Sequence, residues 1–138
     1  MTEQELRNIL SKLRSKKNET EVVEFKEAKA NYDFSKLGRY FSALSNEANL
    51  KEKSCAWLVF GIIDKSHKIV GTQYRNNQKD LHSLKHEIAE KTNNRISFVE
   101  IHELFEPEGR VVMFQIPAAS KGIPTSFQVQ ISASCERD

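Results

Sequence analysis

The stretch Ser54-Cys-Ala-Trp-Leu-Val-Phe-Gly-Ile-Ile63 constrains the fold more than any other in the chain. It carries no charge and shows no alternation of apolar and polar residues. A strand with one solvated face alternates, so a continuous apolar run predicts a strand covered on both faces and central in its sheet. The run is far shorter than the roughly 18 residues a membrane helix requires. Gly61 inside it points to a bulge or a close backbone approach. Asp64-Lys-Ser-His67 then reads as a turn, and Lys68–Thr72 as a hairpin partner closing at Gly71. Asp64 stands where the strand leaves its apolar surroundings. A turn-forming Asp, bonded to the backbone that follows, is the plain reading there.

A central strand needs layers on both sides, and the rest of the chain supplies them. Thr2 and Glu5 have the spacing of a capping box, and Leu6, Ile9, Leu10 and Leu13 form one stripe, which predicts a helix over residues 3–16. Asp33 caps a second helix running to about Asn49, with Phe34, Leu37, Phe41, Leu44 and Ala48 on one face and Arg39 off it. Residues 76–92 read as a third helix with Leu81, Leu84 and Ile88 inward. Residues 95–106 alternate, Pro107-Glu-Gly109 turns the chain, and residues 110–117 return as the other arm of a hairpin. Phe127–Ile131 could open one more strand. The order α-β-α-β-β-α-β-β-(β) predicts one α+β domain over residues 1–138, a small mixed sheet with packed helices. Residues 1–17 are its N-terminal helical segment.

Several function classes find no support. Neither GxxxxGK[ST] nor GxGxxG is present, so no nucleotide cradle is indicated. Cys55 and Cys135 lack CxxC or Cys/His spacing, which speaks against a disulfide framework or a zinc site and fits a cytoplasmic protein. No apolar run suits a membrane, and the first residues lack a signal-peptide profile. His82 and His86 share a helix face at i, i+4, but no Glu or third ligand accompanies them in a zinc motif. The net charge of +2 permits nucleic-acid binding without arguing for it.

The remaining chemistry lies in charged residues. Glu19-Thr-Glu-Val-Val-Glu-Phe-Lys26 reads as a short strand on which Glu24 and Lys26 share a face with Val22, while Glu21, Val23 and Phe25 take the other. The pair is either a surface ion pair or a site for metal or phosphate. Glu19, Glu24 and Asp64, with Lys26, could hold one or two Mg²⁺ or Mn²⁺ ions on a phosphodiester. Glu19 and Glu24 have opposite parity, so they meet only if Glu19 precedes the regular strand or a bulge intervenes. Lys12, Arg14, Lys16 and Lys17 end the first helix, where the macrodipole favours cations and where phosphate could also be met.

These residues also form a pattern. Glu19-x4-Glu24-Phe25-Lys26, then Ala43-Leu-Ser-Asn46, Leu58-Val-Phe-Gly-Ile-Ile-Asp64, Ile69-Val-Gly71 and Phe114-Gln-Ile-Pro117 with Pro124, resemble the Schlafen AlbA-like domain from about residue 15 to 127. The resemblance implies a nucleic-acid-binding, in the first place DNA-binding, module at the N-terminus of a transcriptional regulator or helicase-related protein. Its candidate phosphate contacts are Lys12, Arg14, Lys16, Lys17, Lys26, Arg39, Arg75 and Lys121. The same family includes Mg²⁺- or Mn²⁺-dependent endoribonucleases acting on structured RNA, whose pattern falls on Glu19, Glu24, Lys26 and Asp64. An interaction or oligomerisation module is the third reading, with a homodimer standing in for the paired lobes of the nucleases. The family normally continues with a Gly, an aromatic-aromatic-Arg segment and a further strand, so residues 128–138 are expected to be an atypical or truncated tail.

Overall fold

The computed structural model describes residues 1–128. Its centre is a four-stranded mixed sheet in the order β1-β2-β4-β3, built from β1 (Val23–Lys26), β2 (Cys55–Phe60), β3 (Glu100–Glu106) and β4 (Gly109–Pro117). β2 pairs parallel with β1 and antiparallel with β4, so the apolar run of the sequence is the inner strand it was expected to be. Three α-helices accompany the sheet among the described residues: α1 (Glu3–Arg14), α2 (Phe34–Leu50) and α3 (Gln78–Ala89). The fold is therefore α+β.

The sheet is covered on both faces, as two separate apolar clusters show. On one face Leu6, Leu10 and Leu13 of α1 pack over Phe25, Trp57, Val59, Val111 and Met113. On the other, Leu37, Phe41, Leu44 and Ala48 of α2, with Leu81, Leu84 and Ile88 of α3, pack over Ala56, Leu58, Phe60, Val112, Phe114 and Ile116. Consecutive residues of β2 thus enter opposite clusters, which removes any need for polar residues in it. α1 and α2 begin on the caps the sequence supplies: the Thr2 hydroxyl accepts from the Glu5 amide, and the Asp33 carboxylate from the Lys36 amide.

Some expected elements are altered. The hairpin partner at Lys68–Thr72 is reduced to a single bridge between Ile62 and Ile69. Gly61, at φ +98°, turns its carbonyl to accept from both the Val70 and the Gly71 amides, which ends the ladder there. A Cβ on Gly61 would sit 2.8 Å from the Arg110 carbonyl, and one on Gly109 2.7 Å from the Gly71 Cα, so three backbones cross at distances only glycine allows. The buried Arg110 guanidinium holds this crossing. It donates to Glu103 at 2.8 Å and to the Thr72, Tyr74 and Arg75 carbonyls at 3.2, 2.8 and 3.1 Å. The third helix starts at Gln78, capped by the Asn77 side chain. Residues 93–95 form a short 3-10 turn, and β3 begins only at Glu100. Phe127 bridges to Thr92 and lays its ring on Gly38 of α2, where any Cβ would overlap it. The remainder of the expected last strand, and the tail from residue 129, lie outside the described residues.

Candidate nucleic-acid interface

β1 is an edge strand only four residues long, and its alternation decides where the acidic groups point. Val23 and Phe25 turn to the α1 face, Val22 to the α2–α3 face. Glu24 and Lys26 follow Val22. The Lys26 ammonium lies 3.6 Å from the Glu24 carboxylate and 4.9 Å from the centre of the Tyr40 ring on α2. The Tyr40 side chain, and then the negative charge of Glu24, hold Lys26 above the usual lysine range. Glu19 precedes the strand in the irregular entry from α1. It shares with Asp64, Glu21, His67 and Lys16 a groove of about 350 Å³, of which neither Glu24 nor Lys26 is part. Neither Glu19 nor Asp64 makes a hydrogen bond or ion pair among the described residues, whereas Glu21 is engaged by Lys12 at 3.7 Å and Lys53 at 3.4 Å.

The structure therefore lines one groove with both Glu19 and Asp64 and leaves Glu24 out of that lining. Among the described residues no three His, Cys, Asp or Glu side chains gather as a metal would require. Glu19 and Asp64 share the groove without Glu24, so the three carboxylates expected to hold Mg²⁺ or Mn²⁺ are not gathered among the described residues.

The basic residues are assembled differently. The Arg14 Nε donates to the His67 carbonyl at 2.8 Å, and His67 Nδ1 donates to the Arg14 carbonyl at 2.8 Å. This reciprocal pair fastens the last turn of α1 to the turn after β2. Since a carbonyl can only accept, Nδ1 carries a proton and Nε2 stays available. The His67 ring packs on Phe25 at 4.6 Å between centroids. Lys16 Nζ bonds the Lys65 carbonyl, a second fastening. Arg14, Lys16 and Lys17 from α1 and its end are thereby joined by Lys65 and Lys68 from the turn, with Lys12 one turn back. A strongly basic helix end and a mildly basic turn, far apart in sequence, become one basic surface beside the Glu19–Asp64 groove.

The Schlafen, AlbA_2 family pattern matches residues 19–134, most of the chain. This chain belongs to that family. No curated protein matches it. Two solved structures share the fold. The DIP2311 protein of Corynebacterium diphtheriae superposes with a TM-score of 0.59 at 20% identity over 90% of this chain. The N-terminal domain of a Nitrosomonas europaea protein related to the ATP-dependent DNA helicase RecG gives 0.56 at 16% identity over 95%. This chain spans 23% of the first protein's length and 86% of the second's.

The AlbA_2 match begins after α1, so the helix that delivers Arg14 and Lys16 lies outside the matched segment. Other candidate contacts are scattered over this AlbA_2 domain. Arg39 is exposed on α2 and makes no ion pair among the described residues. Arg75 is taken by Glu87, in a fork of 2.6 and 3.0 Å, which raises the guanidinium and lowers the carboxyl from their ordinary values. Lys121 is exposed in the loop against the C-terminal turn of α2. Sequence reasoning missed Lys65, His67 and Lys68. The signal was present as a basic turn, Asp64-Lys-Ser-His-Lys68, but its meaning depends on the α1 end lying beside it.

Proposed function

We propose that this domain binds nucleic acid, in the first place DNA, and serves as the N-terminal module of a longer protein that regulates transcription. The observation that carries the reading is the double fastening of α1 to the Asp64–Lys68 turn through Arg14–His67 and Lys16–Lys65. It holds cations from two segments in one place although the chain's net charge is only +2. A fixed basic surface neutralises phosphates and releases their counterions, the main source of sequence-independent affinity for a duplex. The likeness of the fold to a domain from a protein related to a DNA helicase supports the same reading, as does the small share of the Corynebacterium protein that this chain spans. A metal-dependent nuclease would need Glu24 to join Glu19 and Asp64, and no observation favours that over binding.

The test is fluorescence anisotropy of a labelled duplex titrated with the protein at several salt concentrations. The logarithm of affinity should fall linearly with the logarithm of salt, with a slope of about −0.9 for each phosphate neutralised. Absence of binding at low salt, or an affinity indifferent to salt, contradicts the proposal.

A further inference from the structure

On the α2–α3 side, away from the basic surface, a cleft of about 340 Å³ opens between the loop after β1 and the loop before α3. Tyr32, Phe34 and Tyr74 form its aromatic walls, and Asn31, Arg75 and Asp80 its polar ones. We infer that this cleft takes a single unpaired nucleobase from a single-stranded nucleic acid, an inference resting on the nucleic-acid reading above. Its volume lies at the low end for small-molecule sites, which suits one flat heteroaromatic ring better than a whole nucleotide cofactor.

The walls match such a ring. Tyr32 and Phe34 are only half-buried, and every base presents a π-face that stacks on such side chains. Asp80, largely exposed at the first turn of α3, has one carboxylate oxygen 3.7 Å from the Arg75 guanidinium and acceptor capacity to spare for a base amino group, which it suits better than a phosphate. Cations stand where the strand's phosphates would pass. Lys36 lies 5.8 Å from the centre of the Tyr32 ring, and Lys26 4.9 Å from that of Tyr40. Aromatics interleaved with cations are what binding a single strand without sequence preference requires. The Tyr32 hydroxyl is shielded from solvent and has no partner among the described residues, a deficit that a polar ligand atom or a bridging water would remove.

The cleft is also held rigid. Ala28, Lys29 and Arg75, on the two loops that frame it, have φ of 56°, 24° and 40°, a region side chains other than glycine enter rarely. The loops are tied together. The Lys29 carbonyl accepts from the Gln73 amide at 2.6 Å and the Thr72 hydroxyl at 2.9 Å, while Arg110 holds the Tyr74 and Arg75 carbonyls. The Arg75–Glu87 fork fixes the guanidinium over Tyr74, 5.7 Å from its ring centre. Strain kept in place by so many bonds costs nothing further when a ligand enters, which is how a preformed site gains affinity.

The experiment places 2-aminopurine, an aminated fluorescent base, within a labelled single strand, and uses a duplex of equal length for comparison. The full chain should quench the 2-aminopurine on binding and hold the single strand about tenfold more tightly than the duplex at equal salt. Tyr32→Leu, which keeps the apolar contact to Phe60, should remove the quench and about tenfold of single-strand affinity. Asp80→Ala, at an exposed position, should lower single-strand affinity several-fold with only a small fall in the thermal midpoint, from the lost first-turn acid and its ion pair with Arg75. Both variants should leave duplex affinity unchanged. Duplex binding without quenching of the bound single strand overturns the cleft alone. So does a Tyr32→Leu or Asp80→Ala variant that is unchanged, or one that loses single strand and duplex equally. Failure to bind either nucleic acid at low salt overturns the nucleic-acid reading and the cleft with it.

Discussion

On the α1 face of the sheet, no Lys or Arg stands over an aromatic ring among the described residues; on the α2–α3 side, Lys26, Lys36 and Arg75 stand over Tyr40, Tyr32 and Tyr74. The first arrangement offers charge to a phosphate backbone of any sequence. The second offers stacking surfaces with charge at their rim. One short edge strand separates them, because alternation along β1 sends Glu24 and Lys26 one way and Val23 and Phe25 the other. Charge on this domain is therefore sorted by backbone geometry, not by where it clusters in the sequence.

The two faces should differ most in their weight in the core. Phe41 is fully buried and meets Phe98 edge-to-face at 5.0 Å, so Phe41→Ala should cost about 3–5 kcal/mol in a urea denaturation series. Leu10→Ala on the α1 face removes a smaller side chain and should cost about 2–3 kcal/mol. A Phe41→Ala midpoint that barely moves, with Leu10→Ala the worse variant, would reverse the ranking of the faces.

A smaller effect probes the outer layer of the α2–α3 side. In an exposed helix, Gly→Ala gains up to about 1 kcal/mol of propensity. At Gly38 the new Cβ would lie 2.2 Å from the Phe127 ring, so Gly38→Ala should instead lower the thermal midpoint, by about 1–3 kcal/mol in stability. A raised midpoint would mean that Phe127 does not rest on α2.

The smallest effect comes from the ion pair that keeps Arg75 at the cleft. Arg75 depresses the Glu87 pKa, so the pair contributes stability above the unfolded carboxylate value of about 4.3, and that stability is lost as pH falls through the folded value. Because Glu87 is partly exposed, the contribution is about 0.5–1 kcal/mol. Glu87→Gln should lower stability by that amount at pH 7 and have a shallower decline than wild type below pH 4.3 or so. Parallel pH–stability curves for the two proteins would show that the fork does not stabilise the fold.

Much of this architecture is legible in the sequence, for reasons the two faces make plain. The apolar run from Ala56 to Phe60 could only be an inner strand, and the α1 and α2 stripes, with their Thr2 and Asp33 caps, name the helices and the sides they bury. Local signals fixed these. The hairpin after β2 was misread because Gly61 at positive φ ends the ladder after one bridge, which periodicity does not reveal. The site was harder still. Glu19-x4-Glu24 looks like one acidic cluster in the sequence, yet the groove that takes Glu19 leaves Glu24 out. Arg75 looks like a free cation, yet Glu87, twelve residues on, takes it. Lys65 and His67 acquire a role only because Arg14 and Lys16 lie beside them, a tertiary fact.

The central claim is that phosphate contact belongs to the α1 end and the Asp64–Lys68 turn. The measurement that tests it most directly compares the salt dependence of duplex affinity for wild type, for Lys16→Glu with Lys17→Glu, and for Lys121→Glu on the other side of the sheet. The paired reversal should weaken binding at least tenfold at low salt and flatten the slope of log affinity against log salt by about 1 to 2, while Lys121→Glu leaves the slope unchanged. Equal slopes for wild type and the paired reversal, with all three proteins folded, would contradict the account.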